Sequence, residues 1–382
     1  MLTFLELTMM LLGIVHFGLP LFYYVYIRTK LNRPWNLNID RDYRPRISLI
    51  VPTFNEGDFI EAKLSDIVKQ DYPEDRIEII VVDSASSDGT IDLAEAWNAR
   101  HLNYNIKLLT EPDRRGKARA LNLALRHAEG EIVVVTDADA FLRQHSLKEA
   151  AALFSDSTVG AVTGIILAER RKNRDNENAE IYESIYRFHH NIIRIAESKI
   201  HSTPIFNGQL MFFRKDYLLQ LGGFSLDVGA DDSYTATLVA LAGYRAIAVP
   251  EAVVYEPMPR SMRSYMSMKA RRALHLVQTF RKILNRLPRA PSRFKPVLAV
   301  EAFLHLINPW LLLASGSIFL LSFIVDGPTF LKLVVAVMIV GMMLVKRARE
   351  FLFTWVANQL ILAYSILRSF RSHELCWKKI EK

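Results

Sequence analysis

Cysteine is almost absent from this sequence of 382 residues, in which Cys376 is the only one. A single cysteine cannot form an intramolecular disulfide, and it excludes a zinc site built from several cysteines. The sequence also shows no internal repeat and no low-complexity tract. Redox chemistry by a cysteine pair is therefore not expected.

Long apolar segments, by contrast, are abundant, and 51% of the residues are hydrophobic. Residues 2–27 carry one charge, Glu6, and at 1.5 Å per residue they are long enough to cross a hydrocarbon layer of ~30 Å. The segment lacks the basic start and the small residues of a cleavable signal, so we predict an uncleaved transmembrane anchor at 1–30. Arg28, Lys30 and Arg33 follow at once. The positive-inside rule then predicts an integral protein of the cell membrane whose next region is cytoplasmic.

Basic residues concentrate next to apolar segments and give a net charge of +8. This pattern favours membrane lipids over nucleic acid as the partner. Residues 258–293 predict basic amphipathic helices in the membrane interface, with a soluble amphipathic helix as the alternative. Residues 296–367 contain three apolar segments, and 368–382 form a basic tail. Three full spans would place that tail outside, so we expect the third segment to be interfacial or re-entrant.

Between the anchor and the basic segment, strand-like runs alternate with helical patterns. The runs "ISLIVP", "IEIIVVD", "IKLLT" and "EIVVVTD" predict strands, and helical spacing follows Glu56, Thr90 and Gly116. Such a βαβαβ order predicts an α/β fold with a parallel sheet and helices on both faces. Residues 157–257 complete the same globular unit, and we interpret them as its acceptor half.

The stretch "EIVVVTDADAFL" places Asp137 and Asp139 at the carboxyl end of a strand that is expected to be buried. If the extended conformation continues, both carboxylates point to one side, where their repulsion is relieved by a cation between them. Ligands of open α/β sheets bind at this edge. The alternative is a polar loop in which Asp139 caps a following helix.

Two further strand ends carry polar residues, and a glycine precedes the next helix. Asp83 can accept a hydrogen bond from a base N–H, and Glu56 can accept one from a ribose hydroxyl. Lys117 stands at a helix start led by Gly116, where backbone N–H groups and a cation favour a diphosphate. For Asp88, helix capping is the favoured interpretation.

The order of these motifs resembles the inverting glycosyltransferases of family 2, which include cellulose, chitin and hyaluronan synthases and enzymes of lipid-linked glycans. The resemblance covers about residues 46–275, and the motifs that carry it are "VPTFNE", "VVDSASSDGT", "RRGKARALN", "DAD", "FNGQLMFFRKD" with "LGGF", and "GADDSYTATLVALAGYRAIAVPEA". It implies a GT-A catalytic domain at 44–257, a nucleotide-diphospho-sugar donor with uridine as the default base, and Mg²⁺ or Mn²⁺ as cofactor.

The resemblance also implies roles for individual residues, and those roles fall on four groups. They are the donor nucleotide (Pro52, Thr53, Glu56, Asp83, Lys117 and Asp137), the metal (Asp139 with Asp137), the catalytic acid pair (Asp231 and Asp232, with Asp232 as general base), and the acceptor side (Gly208, Gln209, Arg271 and Arg272). Helix capping is the alternative for one of Asp231 and Asp232.

One departure from the family bears on processivity. Processive synthases carry Gln-x-x-Arg-Trp where this chain has "MKARR", so either Arg271 or Arg272 occupies the basic position and the tryptophan is missing. We therefore expect transfer of one or a few sugars to a lipid-linked or glycan acceptor. A processive synthase, a sugar-1-phosphate nucleotidyltransferase and a non-catalytic membrane scaffold are the alternatives. Assembly as a homo-oligomer would supply the additional helices that a polymer channel needs.

Overall fold

The computed structural model describes residues 2–168, 177–257 and 261–370. A long first helix precedes a regular alternation of strands and helices, and each predicted strand and helix of this region is present. The elements are α1 (Phe4–Arg28), β1 (Ile47–Thr53), α2 (Ile60–Val68), β2 (Ile77–Ser84), α3 (Thr90–Arg100), β3 (Asn105–Glu111), α4 (Lys117–His127) and β4 (Ile132–Thr136). The four strands pair in parallel, as the βαβαβ pattern predicts.

The second half of the sheet is mixed, which the sequence pattern did not predict. Its elements are β5 (Phe141–Leu142), α5 (Ser146–Ala151), β6 (Val159–Ala168), α6 (Glu177–Ile200), β7 (Leu210–Arg214), α7 (Lys215–Gln220), α8 (Asp231–Leu241) and β8 (Arg245–Glu256). The strand order is β3-β2-β1-β4-β7-β6-β8-β5, and β7 runs antiparallel to both β4 and β6. One eight-stranded sheet therefore joins the two halves.

Apolar side chains cover both faces of this sheet. On β4, Ile132 and Val134 belong to a core cluster with α2, α3 and α5, whereas Val133 and Val135 belong to a second cluster with α4 and α8. A strand that is buried on both faces needs consecutive β-branched residues, and this is the pattern that the sequence shows. The polar residues that follow the strands then lie at one edge of a rigid core.

Five more helices follow the sheet: α9 (Met262–Ile283), α10 (Lys295–Leu306), α11 (Asn308–Val325), α12 (Phe330–Leu344) and α13 (Lys346–Arg368). Among the described residues, α1, α11 and α13 are long and apolar enough to cross a membrane, and α12 is a shorter apolar helix. The first C-terminal apolar segment breaks between α10 and α11 next to Pro309. Residues 371–382 of the basic tail, with Cys376, lie outside the described residues.

Buried polar contacts join the apolar helices. His16 of α1 contacts the carbonyl of Asn308 through Nδ1 at 3.0 Å, and its Nε2 accepts a hydrogen bond from the Trp355 indole at 2.9 Å. These partners require the neutral tautomer with a proton on Nδ1, because an indole N–H only donates. α1, α11 and α13 are thus held together at one point.

Helix α9 differs from the expectation of a helix that lies in the membrane interface. Its apolar residues Met268, Leu274, Val277 and Phe280 are buried within the protein, and Phe280 belongs to the second core cluster of the sheet. The alternative of an amphipathic helix that packs on protein fits this burial. Residues 258–260, at the start of the predicted basic segment, lie outside the described residues.

Candidate functional site

The carboxyl ends of β1 and β2 bring Thr53 and Asp83 into direct contact. The two residues are register partners, and the Thr53 hydroxyl donates to Asp83 Oδ1 at 2.8 Å. The backbone N–H of Ser86 donates to Asp83 Oδ2 at 2.8 Å, which fixes the carboxylate from the other side. Pro52, one residue before the end of β1, is partly exposed. The carboxylate of Asp83 is therefore rigidly held at the carboxyl end of β2.

The loop after β1 is tied to the start of α3. The Glu56 N–H donates to the Thr90 hydroxyl at 2.9 Å, and the Gly57 N–H donates to Asp88 Oδ2 at 3.0 Å. Asp88 Oδ1 also accepts the N–H of Thr90, the first residue of α3, at 3.2 Å. Asp88 thus joins this loop to the first residue of α3, although the N-cap of the helix is Gly89 and it makes no side-chain cap. Glu56 is partly exposed.

Lys117, the first residue of α4, reaches the end of β4. Its Nζ lies 2.7 Å from Asp137 Oδ1 and donates to the Gly208 carbonyl at 3.3 Å. A Cβ on Gly208 would lie 3.5 Å from that Nζ and 3.1 Å from Asp232 Oδ2. Burial disfavours the charged form of Lys117, but the carboxylates around it outweigh burial and raise its pKa. One ammonium group therefore stands among the acidic residues that the sequence singled out.

Asp137 and Asp139 do not continue the strand. β4 ends at Thr136, and the Ala140 N–H donates to the Asp137 carbonyl at 3.2 Å, so the two aspartates lie in a turn. The expectation that an extended chain points both carboxylates to one side is wrong for this reason. Capping by Asp139 is also wrong, since the next helix, α5, starts at Ser146.

A lysine that the sequence analysis did not identify contacts the end of this turn. Lys63 of α2 is fully buried, and its ammonium donates to the Ala140 carbonyl and lies 3.3 Å from Asp66 Oδ2. Asp66 in turn accepts the Leu142 N–H at 3.0 Å. A lysine on the apolar face of an amphipathic helix is the signal that could have identified it, because a buried ammonium requires partners.

Asp231 and Asp232 begin α8, but neither caps it, because the N-cap is Ala230 and it makes no side-chain cap. Burial raises the pKa of Asp231 to about 7, the ammonium of Lys117 opposes this rise, and the charge of Asp232 adds to it. Burial also raises the pKa of Asp232, while hydrogen bonding from Ser233 lowers it. Asp231 Oδ2 is buried without a hydrogen-bond partner among the described residues. Two carboxyl groups that do not cap the helix thus lie at the start of α8, and the charge of Lys117 acts on both.

The two arginines of α9 have different surroundings. Arg272 forms ion pairs with Glu183 at 3.4 Å and with Glu256 at 3.2 Å. Burial lowers the pKa of Arg271 to about 10, which leaves it charged at neutral pH, and Asp137 and Asp139 are among the anions that favour that charge. The charges of Glu256, Asp137 and Asp139 thus act on Arg271, whereas Arg272 belongs to a buried ion-pair network. Gln209 is partly exposed directly before β7.

A second residue that the sequence did not single out is Arg194 of α6. Its Nη1 donates to the side chain of Asn207, directly before Gly208. Burial lowers the pKa of Arg194, and Asp232 is among the anions that oppose this effect. Arg194 thus contacts the residue that precedes Gly208, whose carbonyl accepts from Lys117. Its position could not be inferred from the sequence because nothing there relates α6 to α8.

Known proteins are similar to this chain in sequence and in fold. A family model described as Glycosyl transferase family 2 matches residues 48–222. The mannosyltransferase PcManGT of Pyrobaculum calidifontis, solved in complex with GDP-Man and Mn²⁺, is 41% identical. That alignment covers 96% of this chain and 99% of PcManGT, with a TM-score of 0.82.

Two curated relatives match over shorter stretches. The poly(ribitol-phosphate) beta-N-acetylglucosaminyltransferase TarS of Staphylococcus aureus is 36% identical over 111 residues, which are 29% of this chain and 19% of TarS. The dolichyl N-acetyl-alpha-D-glucosaminyl phosphate 3-beta-D-2,3-diacetamido-2,3-dideoxy-beta-D-glucuronosyltransferase of Methanococcus voltae is 30% identical over 175 residues, which are 44% of this chain and 48% of that protein. The chain thus spans less than half the length of either.

Proposed function

The chain belongs to glycosyltransferase family 2, and from this membership we propose that it transfers mannose from GDP-mannose to a membrane-associated acceptor with inversion at the anomeric carbon. It is a nucleotide-sugar glycosyltransferase with a GT-A fold. The observation that carries the proposal is the meeting of Lys117, Asp137 and Asp232 around Gly208. The 41% identity to a mannosyltransferase that was solved with GDP-Man supports guanosine over the uridine default.

The donor nucleotide would bind along the carboxyl ends of β1, β2 and β4. Asp83, held by Thr53 and Ser86, accepts a base N–H, and Glu56 accepts a ribose hydroxyl. Lys117 at the start of α4 offers the diphosphate both its ammonium and nearby helix N–H groups. Guanine and uracil each carry a ring N–H, so the base preference rests on the relative and not on Asp83.

The donor set at the acidic turn fits a divalent cation of the Mg²⁺ or Mn²⁺ kind. Asp137 and Asp139 provide carboxylate oxygens. The described ranges contain no group of three or more His, Cys, Asp or Glu side chains suited to a metal, so the protein supplies only part of the ligand set. Two carboxylates together with substrate phosphates are the usual ligands of Mg²⁺ in such sites. A bound cation supplies neutralisation of the charge that develops on the departing nucleoside diphosphate.

Asp232 is proposed as the general base. Its carboxylate takes the proton of the acceptor hydroxyl while that oxygen bonds to the anomeric carbon from the face opposite the diphosphate. The bond from the anomeric carbon to the phosphate oxygen breaks, and its electron pair leaves with the nucleoside diphosphate. The raised pKa of Asp232, caused by burial, suits a group that must accept a proton near neutral pH. The positive charges of Lys117 and Arg194 oppose this rise.

The acceptor side would combine Gly208, Gln209 and Arg271 with the membrane helices. Arg271 is proposed to face the donor diphosphate, whereas the ion pairs of Arg272 give that residue a structural role. The missing tryptophan of "MKARR" supports transfer of one or a few sugars. The apolar helices α1 and α11 support a membrane-anchored acceptor that is reached from the cytoplasmic side.

A donor panel with the purified full chain tests the proposal. GDP-mannose, GDP-glucose, UDP-glucose and UDP-N-acetylglucosamine are incubated with native lipid extract, with and without Mn²⁺, and the released nucleotide is measured. We expect GDP release from GDP-mannose that requires both Mn²⁺ and lipid. Asp232→Asn serves as the matched control and should abolish release.

Other outcomes select the alternatives. Release of pyrophosphate would indicate a nucleotidyltransferase, and turnover of UDP-sugars alone would overturn the GDP-mannose assignment. Products of tens of sugars at a low ratio of enzyme to acceptor would indicate a processive synthase. Equal GDP release by the wild type and Asp232→Asn would contradict catalysis at this site and would favour the non-catalytic scaffold.

A further inference from the structure

One face of α6 carries two aromatic rings and an arginine at intervals of one helical turn. Tyr186, His190 and Arg194 are spaced four residues apart, so their side chains follow one another along the helix. The centroids of the Tyr186 and His190 rings are 3.9 Å apart. Both residues remain partly exposed. We call these three residues the α6 file.

The α6 file ends at the proposed base. Arg194 is its last member and donates to Asn207, which directly precedes Gly208, where a Cβ would lie 3.1 Å from Asp232 Oδ2. The Nε of Arg194 is buried without a hydrogen-bond partner among the described residues, although Nη1 donates to Asn207. A buried N–H next to a base requires a partner, and a sugar hydroxyl that approaches Asp232 would provide one.

The opposite end of the file is held by α9. The Lys269 ammonium lies 2.9 Å from the centroid of the Tyr186 ring, which is a cation–π contact. The same ammonium lies 2.9 Å from Glu183 Oε2. Tyr186 is therefore fixed in position by α9 and remains partly exposed.

Charges around the α6 file are matched by neighbours. Lys269 and Arg272 face Glu183 and Glu256, and Glu197 and Glu301 lie near Arg194. Burial lowers the pKa of His190 well below its usual value, and the neighbouring cations, Arg194 first, lower it further, so its ring is neutral. A surface of neutral rings between compensated charges suits an uncharged ligand better than a phosphate.

We propose that the α6 file binds a sugar residue already present on the acceptor, so that the enzyme extends a lipid-linked glycan and does not glycosylate a bare lipid phosphate. This inference rests on the proposed function. The rings of Tyr186 and His190 stack against the apolar face of the acceptor sugars, and Arg194 binds the sugar next to the reacting hydroxyl. Eight residues of helix span about 12 Å, which matches a short glycan and not a long polymer.

The proposal replaces the aromatic contact that "MKARR" lacks. In that segment the ring expected at the acceptor is missing, whereas α6 supplies two rings in line with Arg194. Because the rings lie on a different helix from the "MKARR" segment, replacing them is expected to change acceptor choice and to leave donor binding unchanged. That separation of the two substrates makes the proposal testable.

The test compares two acceptors and four variants in the full-length protein. The acceptors are polyprenyl phosphate and polyprenyl diphosphate that carries a disaccharide, and the variants are Tyr186→Leu, Tyr186→Phe, His190→Leu and His190→Phe. The wild type should use the disaccharide acceptor in preference to the bare lipid. The leucine variants should raise its KM about five- to tenfold, and the phenylalanine variants should change it less than about twofold.

Phe188→Leu is the matched control, because Phe188 lies on the same helix and is 62% exposed. It should leave the acceptor KM unchanged, and GDP binding should be equal in all variants. Equal KM values in leucine and phenylalanine variants, or equal use of the bare lipid phosphate by the wild type, would overturn the proposal. A wild type that transfers to neither acceptor while also failing to release GDP would refute the proposed function itself.

Discussion

Replacing Lys117 by methionine removes an ammonium group that lies among three carboxylates. Its Nζ lies 2.7 Å from Asp137 Oδ1, and the charges of Asp231 and Asp232 also act on it. Methionine keeps a similar length and apolar stem, so the change mainly removes the charge. Lys117→Met should therefore leave the carboxylates to repel one another without compensation.

The cost can be estimated from the exposure of the pair. Removal of one partner from a fully buried ion pair costs about 3–5 kcal/mol. The side chains of Lys117 and Asp137 are 18% and 29% exposed, so solvent reduces the loss. We expect about 1–3 kcal/mol in the free energy of unfolding at pH 8. For a domain of this size, that corresponds to a fall of roughly 3–10 °C in Tm.

The loss should depend on pH in a definite direction. Burial raises the pKa of Asp231 to about 7, above its value in an unfolded chain, so its ionisation destabilises the folded protein as pH rises toward 7. In the wild type, Lys117 opposes that effect. At pH 5 Asp231 is largely protonated, so its charge contributes little and the difference in Tm between the two proteins should be smaller. The difference should grow as pH rises to 8.

Thermal unfolding in detergent, followed by tryptophan fluorescence from pH 5 to pH 8, measures the difference. Lys117→Arg, which keeps the cation, is the control and should stay within a few degrees of the wild type at each pH. A difference in Tm that is the same at pH 5 and pH 8 would refute the electrostatic account. Binding of GDP should also weaken by about tenfold or more in Lys117→Met, since an interaction of a cation with phosphate is lost.

Three further predictions concern the acidic residues and their neighbour. Asp139→Asn should weaken Mn²⁺-dependent donor binding in calorimetry, whereas Asp232→Asn should leave binding nearly intact and lower kcat by about 10²-fold or more; wild-type turnover in the latter would exclude it as the base. Asp232→Asn also removes the charge that helps to raise the pKa of Asp231, so the loss of Tm between pH 5 and pH 8 should be smaller in this variant than in the wild type; a larger loss would contradict the coupling. Gly208→Ala puts a Cβ 3.1 Å from Asp232 Oδ2 and should lower kcat about tenfold, whereas Gly316→Ala, with open space around it, should have no effect.

The parallel half of the fold could be predicted because its information is local. Consecutive β-branched residues from Ile132 to Val135 indicate a strand that is buried on both faces, and Gly116 precedes a helix that starts at Lys117. The antiparallel return of β7 beside β4 could not be predicted. It depends on pairing between residues far apart, such as Val134 with Phe212, and short apolar strands have many possible partners.

The same distinction applies to the candidate site. The residues that follow strand ends, such as Asp83 and Asp137, could be named because parallel strands bring their carboxyl ends to one edge. Lys63 and Arg194 could not, since each lies on a helix and acts through a contact with a distant loop. The choice between Arg271 and Arg272 was equally open, because adjacent helical residues point in directions about 100° apart and only packing decides which one faces the site.

Packing also bears on which apolar helices cross the membrane. α12 begins beside Glu6, whose carboxylate accepts a hydrogen bond from the Thr329 hydroxyl, and Glu6 lies at the end of α1 away from Arg28. α13 ends beside α9, where Arg281 donates to the Ser369 hydroxyl at 2.6 Å and lies 3.8 Å from the ring centroid of Phe370. Length and composition select α13 as a span, but these contacts favour α12.

We predict that α12 crosses the membrane and that α13 stays on the catalytic side, which leaves the tail after Arg368 cytoplasmic. The last residues of α13 contact α9, and α9 packs into the core of the catalytic sheet, so the C-terminal end of α13 lies on the catalytic side. The fifteen residues of α12 cover only about 22 Å, so the bilayer must thin or the flanking residues must extend the span. Labelling of Cys376 with an impermeant maleimide in sealed right-side-out vesicles tests this topology, with Pro328→Cys in a Cys376→Ser background as the control. We expect Pro328→Cys to react in intact vesicles and Cys376 to react only after permeabilisation, because the turn before α12 and the tail then lie on opposite faces. Ready labelling of Cys376 from outside would mean that α12 and α13 both span. Lys346→Cys in the same background should also be protected, and its labelling from outside would mean that α13 spans in place of α12.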